Sequence, residues 1–417
     1  LGVNASSAEG DTEFTNIKNI VDATMNNGAG DLALTYGTTV VSGASDVQNL
    51  AVSNITAGVF TAASVETLNV STSNVKSTIT TITADKMTAL NITGDQNLTI
   101  TNAVDFVDNA SATAVDGVLD ASTFTGALAA TMAADVVTVT GGTGADTITM
   151  GTGLTAADTL DGGAGADTLV VNSSATTLAN MSISNFETIQ IEAVDEANLT
   201  ITSAGQAGLV MLTLEENIDT GDDNGDDYTV TDLAAGVGIT LLNNVNARDM
   251  NTVSLGLADA SGTADSLTVT LKGTATHAAA DNTIADISFA SIETLNIISS
   301  HAGTTVLSAT DDNTVTTISA DAELTTLNIS GSDQANITVG SAATKLATID
   351  GTGMTDVLTL TVGATATNAI TMGSSKDVVS FGTTLTIADS VNGGAGSDTV
   401  NATVGALSAA NGKFNLT

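Results

Sequence analysis

The sequence predicts an all-β chain wound as a parallel β-solenoid, or β-roll, and three observations carry that prediction. Runs of Val, Ile, Leu, Thr and Ala, each about four to seven residues long, alternate with clusters of Gly, Asn, Asp and Ser, the pattern of short strands joined by turns. The chain has no Pro, Cys or Trp and only 2% aromatic residues, so its core must be built from small and β-branched side chains. A glycine-rich nonapeptide of the form GGxGxDxUx occurs at Gly141–Thr149, Gly162–Val170 and Gly393–Asn401.

Charge bounds the function before any motif is weighed. Eight basic residues stand against 46 acidic ones, a formal charge of −38 over 417 residues, which excludes a nucleic-acid or anionic-membrane surface and favours divalent cations as partners. Hydrophobic residues make up 42% of the chain, enough to fill a core, so an acidic disordered tail is the weaker reading. No basic-then-apolar leader opens the sequence and no run of eighteen apolar residues occurs, so neither a signal peptide nor direct membrane insertion is expected.

Self-similarity organises the chain. Asp146, Asp158 and Asp167 recur at one common offset as Asp377, Asp389 and Asp398, and Val65–Val70 (VETLNV) is echoed by Ile292–Ile297 (IETLNI). The expected organisation is the end of a preceding repeat at residues 1–25, a solenoid unit at 26–250 with a glycine-rich block at 141–171, and a truncated second copy at 251–417 with its block at 372–401. Each full unit spans roughly 230 residues, and the array is expected to continue beyond this chain at both ends.

The nonapeptides carry the chemistry. Calcium takes six to eight oxygen ligands at flexible geometry, and a GGxGxD turn presents main-chain carbonyls with one carboxylate. Glycine suits such a turn because several positions need positive φ or a close approach. The candidate ligands of the first block are Gly141, Gly142, Gly144 and Asp146, then Gly151, Gly153 and Asp158 in an expanded turn, then Gly162, Gly163, Gly165 and Asp167. Those of the second are Asp377, Asp389, Gly393, Gly394, Gly396 and Asp398; here Ser375 and Lys376 replace Gly144 and Ala145, and Asn392 replaces Asp161, so the Asp377 turn is expected to be the weaker calcium site. The metal-free alternative is a glycine turn whose aspartate bonds its own backbone. Weaker candidates are Asp350 with Asp356, the acidic stretch from Asp219 to Asp227, and the Gly-x-x-Asp aspartates Asp31 and Asp265.

Catalytic patterns are thin, and no enzymatic activity is expected. His277 and His301 are the two histidines, no HExxH or GxSxG string occurs, and an aromatic sugar platform would have only Tyr36 and Tyr228 besides phenylalanine. Asn-x-Ser/Thr triplets such as Asn54–Thr56 follow from composition.

Taken together, Ile148–Val171 with the following Asn185–Ile189 (NFETI), and Val391–Val400 in the second copy, make the chain resemble the RTX-type bacterial S-layer proteins known from Caulobacter. The resemblance implies a calcium-filled β-solenoid on the cell surface, exported by type I secretion, that assembles with copies of itself into a two-dimensional lattice. It further implies that attachment to surface polysaccharide runs through a region outside this chain. The alternative is a large secreted RTX adhesin, or the repeat region of a type I secreted protein.

Overall fold

A computed structural model of the chain describes residues 10–107, 114–151, 153–172, 178, 181–192, 199–202, 206, 208–216, 227–243, 250–274, 282–302, 312–320, 322–363, 368–386, 388–403 and 415–416. Among these the secondary structure is strand, with no helix. The chain divides into two compact units, one formed mainly by residues 1–172 with 180–190, the other mainly by 210–417.

In the first unit, successive strands enter different sheets and pair in parallel with the strand one coil away. An eight-stranded sheet runs from Ala23–Gly28 to Ser182–Ser184 through Val137–Thr140 and Thr159–Asp161, while Leu128–Met132, Thr147–Gly151 and Thr168–Asn172 pair with one another on another sheet. This is the β-solenoid the composition predicts: two strands per coil, with Thr138 beside Thr159 and Thr147 beside Thr168. The second unit repeats the plan, with a nine-stranded parallel sheet from Leu199–Thr202 to Thr399–Asn401 and a partner series through Thr326–Gly331, Thr348–Met354 and Ser390–Asn392.

Register makes the cores into columns. Leu68, Leu90, Leu119, Val139, Leu160 and Ile183 stack one above another in the first unit, all buried, and Leu295, Leu327, Ile349, Ile370 and Val391 do so in the second. Alternation within strands, buried then half-exposed, as in Leu128–Met132 and Leu358–Val362, follows from the period of two of a pleated strand. Because parallel coils place like residues together, outward polar side chains also form ladders. The Asn91 amide donates to Asn69 Oδ1 and the Asn69 amide to Asn49 Oδ1, each at 2.8 Å.

Corners are turned by residues that tolerate the left-handed region. Asn16, Asn27, Asn54, Asn74 and Asn185 have φ between 55° and 63°, and Ser64 and Ser291 have 65° and 59°. Asparagine reaches this region more readily than most side chains, and here Asn54 donates to Asn27 and Asn185 to Asp161 across the coils.

Candidate metal centre

The glycine blocks sit at the solenoid corners, where each aspartate ends its turn and starts a strand. The run of Asp146, Asp158 and Asp167 separates into two columns, because alternate turns face alternate edges of the coil. The turns ending at Asp146 and Asp167 lead into Thr147–Gly151 and Thr168–Asn172 of one sheet, whereas Asp158 leads into Thr159–Asp161 of the other.

All three carboxylates are buried, at 1–2% exposure, and each bonds across coils. Asp146 Oδ1 accepts the Leu128 N–H at 2.8 Å and its Oδ2 accepts the Gly142 N–H at 2.7 Å. The Asp146 N–H in turn donates to Asp167 Oδ1 at 2.7 Å, 21 residues on. On the other edge, Asp158 Oδ1 accepts the Val137 N–H at 2.7 Å, and its Oδ2 accepts the N–H and Oγ1–H of Thr155.

The second unit reproduces this geometry bond for bond. Asp377 accepts the Leu358 and Gly373 N–H groups at 2.9 and 3.0 Å, Asp389 accepts those of Asn368 and Thr386, and the Asp377 N–H donates to Asp398 Oδ1 at 3.0 Å. Neither Ser375 nor Lys376 disturbs the turn. A Cβ built on Gly396 would overlap the Ser375 carbonyl oxygen, as one on Gly165 would overlap that of Gly144. Asn392 likewise accepts the Gly394 N–H at 3.0 Å where Asp161 accepts that of Gly163.

The glycines are fixed by the neighbouring coil as well as by their own turn. A Cβ at Gly163 would overlap the Gly142 carbonyl oxygen, and one at Gly141 would overlap that of Gly162. Gly163 and Gly165 also take φ of 91° and 148°. The turns therefore line their interior with carbonyl oxygens and carboxylates, the hard donor set of calcium. Gly151, at φ 51°, and Gly153 shape the wider Asp158 turn, with Gly153 against the Ala133 carbonyl.

Burial raises the Asp146 and Asp377 carboxyls above the usual aspartate range; at Asp377 the nearby Asp398 and Asp356 add to it. Asp167 is pushed up to about 6, first by burial and then by Asp146, Glu187 and Asp161, against the lowering effect of the Asp146 N–H. Its Oδ2 is buried without a hydrogen-bond partner. Among the described residues no three acidic or imidazole side chains converge as a metal cage, so a cation here must draw on main-chain carbonyls as well. The orphaned oxygen and the carbonyl-lined turn fit that requirement.

The weaker candidates are placed differently. Asp350 faces out of the coil and caps its own turn through the Thr352 N–H and Oγ1–H, while Asp356 bonds the Val357 N–H and lies near Asp377. Asp350 and Asp356 are thus not joined in one turn site. Asp31 accepts the Val59 N–H, and Asp265 bonds the Gly262 N–H. Asp227 is fastened by the Asn251 amide and the Thr252 N–H; residues 219–226 and His277 lie outside the described residues. His301 Nδ1 lies 3.8 Å from Asp333.

Sequence reading missed Glu187. It accepts the Asp167 N–H at 2.7 Å, the place an aspartate holds in a glycine turn, and the signal was the recurring Glu-Thr-Leu/Ile element.

No curated protein matches the chain. The family model of the RTX calcium-binding nonapeptide repeat, four copies long, matches residues 138–169 and 388–406. The first match holds Asp146, Asp158 and Asp167; the second holds Asp389 and Asp398 and starts after Asp377. Over these blocks the chain is similar to RTX proteins, and the cation of its glycine turns is calcium.

Proposed function

We propose that this chain is the lattice-forming part of a secreted surface-layer protein, a structural rather than catalytic molecule that calcium folds and that assembles with its own copies outside the cell. The observation that carries the reading is the stack of like-charged carboxylates on successive coils, Asp146 on Asp167, both buried, and the buried Asp377 on the exposed Asp398, in a chain of charge −38. Burying charges of one sign is costly unless a cation neutralises them. The six block aspartates, with the carbonyls of the glycine turns, hold the ions.

Cytosolic calcium lies far below the roughly 10⁻⁴–10⁻³ M dissociation constants of extracellular modules. Before export the chain would therefore stay unfolded, and outside it would fold by mass action as several ions bind only the folded form. The unit of about 230 residues and its truncated second copy supply alike, regularly spaced surfaces, which is what a self-complementary array needs. Electron microscopy of the full chain in millimolar calcium tests the assembly: an ordered sheet is expected, and dispersed particles would instead favour a secreted RTX adhesin or repeat region.

A further inference from the structure

One acidic rung extends past the last glycine turn of the first block. At Ser184–Glu187 the coil repeats the register of Asp161–Asp167 in a shorter corner. The Gly162 N–H donates to the Ser184 carbonyl as the Gly141 N–H does to that of Asp161, and the Thr188 N–H donates to the Asp167 carbonyl as that of Thr168 does to Asp146. A Cβ on Gly162 would overlap the Asn185 carbonyl oxygen, just as one on Gly141 would overlap that of Gly162. Asn185, at φ 55°, thus stands in for a glycine, and Phe186 is buried in the core. Only Phe186 separates Asn185 from Glu187 where four residues separate Gly162 from Asp167, and the extra methylene of Glu restores the reach.

The same left-handed, apolar, Glu corner recurs at Ser64–Glu66 and Ser291–Glu293, where Glu66 and Glu293 accept the N–H groups of Asp46 and Asp265. Those aspartates are half-buried. Asp167 differs: it is 1% exposed and its Oδ2 has no partner. In the Asp146 turn the equivalent oxygen takes the Gly142 N–H, but here Asp161 has captured the Gly163 N–H. Among the described residues no basic side chain is paired with Asp146, Asp161, Asp167 or Glu187.

The geometry points to Glu187 as a calcium ligand, so that the ion column runs one coil beyond the nonapeptides, with the Asp167 and Glu187 carboxylates and the Asn185 carbonyl as donors. This rests on the calcium-bound reading of the glycine turns and adds to it a site with an acid outside the repeat. Two carboxylates and main-chain oxygens on adjacent coils are a suitable set for a hard divalent cation. Glu66 and Glu293 remain hydrogen-bonding rungs.

Equilibrium dialysis of the full chain against radioactive calcium tests it. E187Q keeps an oxygen for the Asp167 N–H but loses the charge; it should bind one ion fewer than the wild type. E66Q should keep the full count, whereas E187D, one methylene short of the reach, should lose the ion as E187Q does. Unchanged binding by E187Q, or an equal loss in E66Q, overturns the assignment, whereas a wild type that binds no calcium overturns the proposed function itself. Anomalous diffraction from wild-type crystals grown in calcium decides without any variant: a peak touching both Asp167 and Glu187 is expected, and its absence, or a peak touching Asp167 alone, rejects the site.

Discussion

The Asp146 N–H donates to Asp167 Oδ1 across 2.7 Å, although the two residues are 21 apart and carry the same charge. One carboxylate thereby joins two coils, and its burial leaves that charge without solvent to screen it. Fold and ion binding meet at this bond, because the group that fixes the register is also the one that demands a cation.

Asp146 uses both oxygens as acceptors, for Leu128 and Gly142. In D146N one acceptor becomes an NH₂ group facing a main-chain N–H, and leaving that buried donor unsatisfied should cost about 1–3 kcal/mol. D167N meets a single N–H through Oδ1, so its amide can orient to keep the bond. In calcium titrations followed by circular dichroism, both variants should need more calcium to fold. At saturating calcium D146N should be the less stable to heat, and a D146N melting with the wild type would contradict the ladder.

Gly163 combines φ 91° with a neighbouring carbonyl where a Cβ would stand, while Gly151, at φ 51°, has open space around it. G151A should therefore cost only the left-handed penalty, about 1–2 kcal/mol. G163A must also push the coils apart and should cost more than that. Equal thermal stabilities of the two variants in calcium would show that coil spacing is not set by glycine.

Asp167 titrates at about 6 in the folded chain against 3.8 for a free aspartate. A raised folded value means that the contribution is fully present below 3.8 and lost as pH rises through about 6, so any folded calcium-free population should grow on acidification. Calcium needs the ionised carboxylate, so its affinity should fall as pH drops below about 6. Calcium titrations at pH 5 and 7.5 check both signs, and D167N should flatten the difference. Affinity independent of pH would contradict the burial of this charge.

Much of this was legible in the sequence. The lack of proline, the short β-branched runs and the glycine nonapeptides predict the solenoid, and the recurrence of Asp146 as Asp377 predicts a second block; its Ser375 and Lys376 predict a weaker turn, yet its hydrogen bonds match those of the first. What the sequence did not show depends on register. Asp158 and Asp146 look like members of one series until strand pairing sends their turns to opposite edges. Asp350 reads as a ligand until its strand turns it outward to cap Thr352. Glu187 lacks any glycine signature, and its place in the column emerges only when the Ser184 corner is set beneath Gly162.

The most direct test of the central claim is far-UV circular dichroism of the full chain at neutral pH, first in EGTA and then on addition of millimolar calcium. The account predicts an unfolded spectrum that converts cooperatively to a strand spectrum as calcium is added. A full strand signal retained in EGTA would contradict it, because the buried carboxylates would then be carried by hydrogen bonds alone.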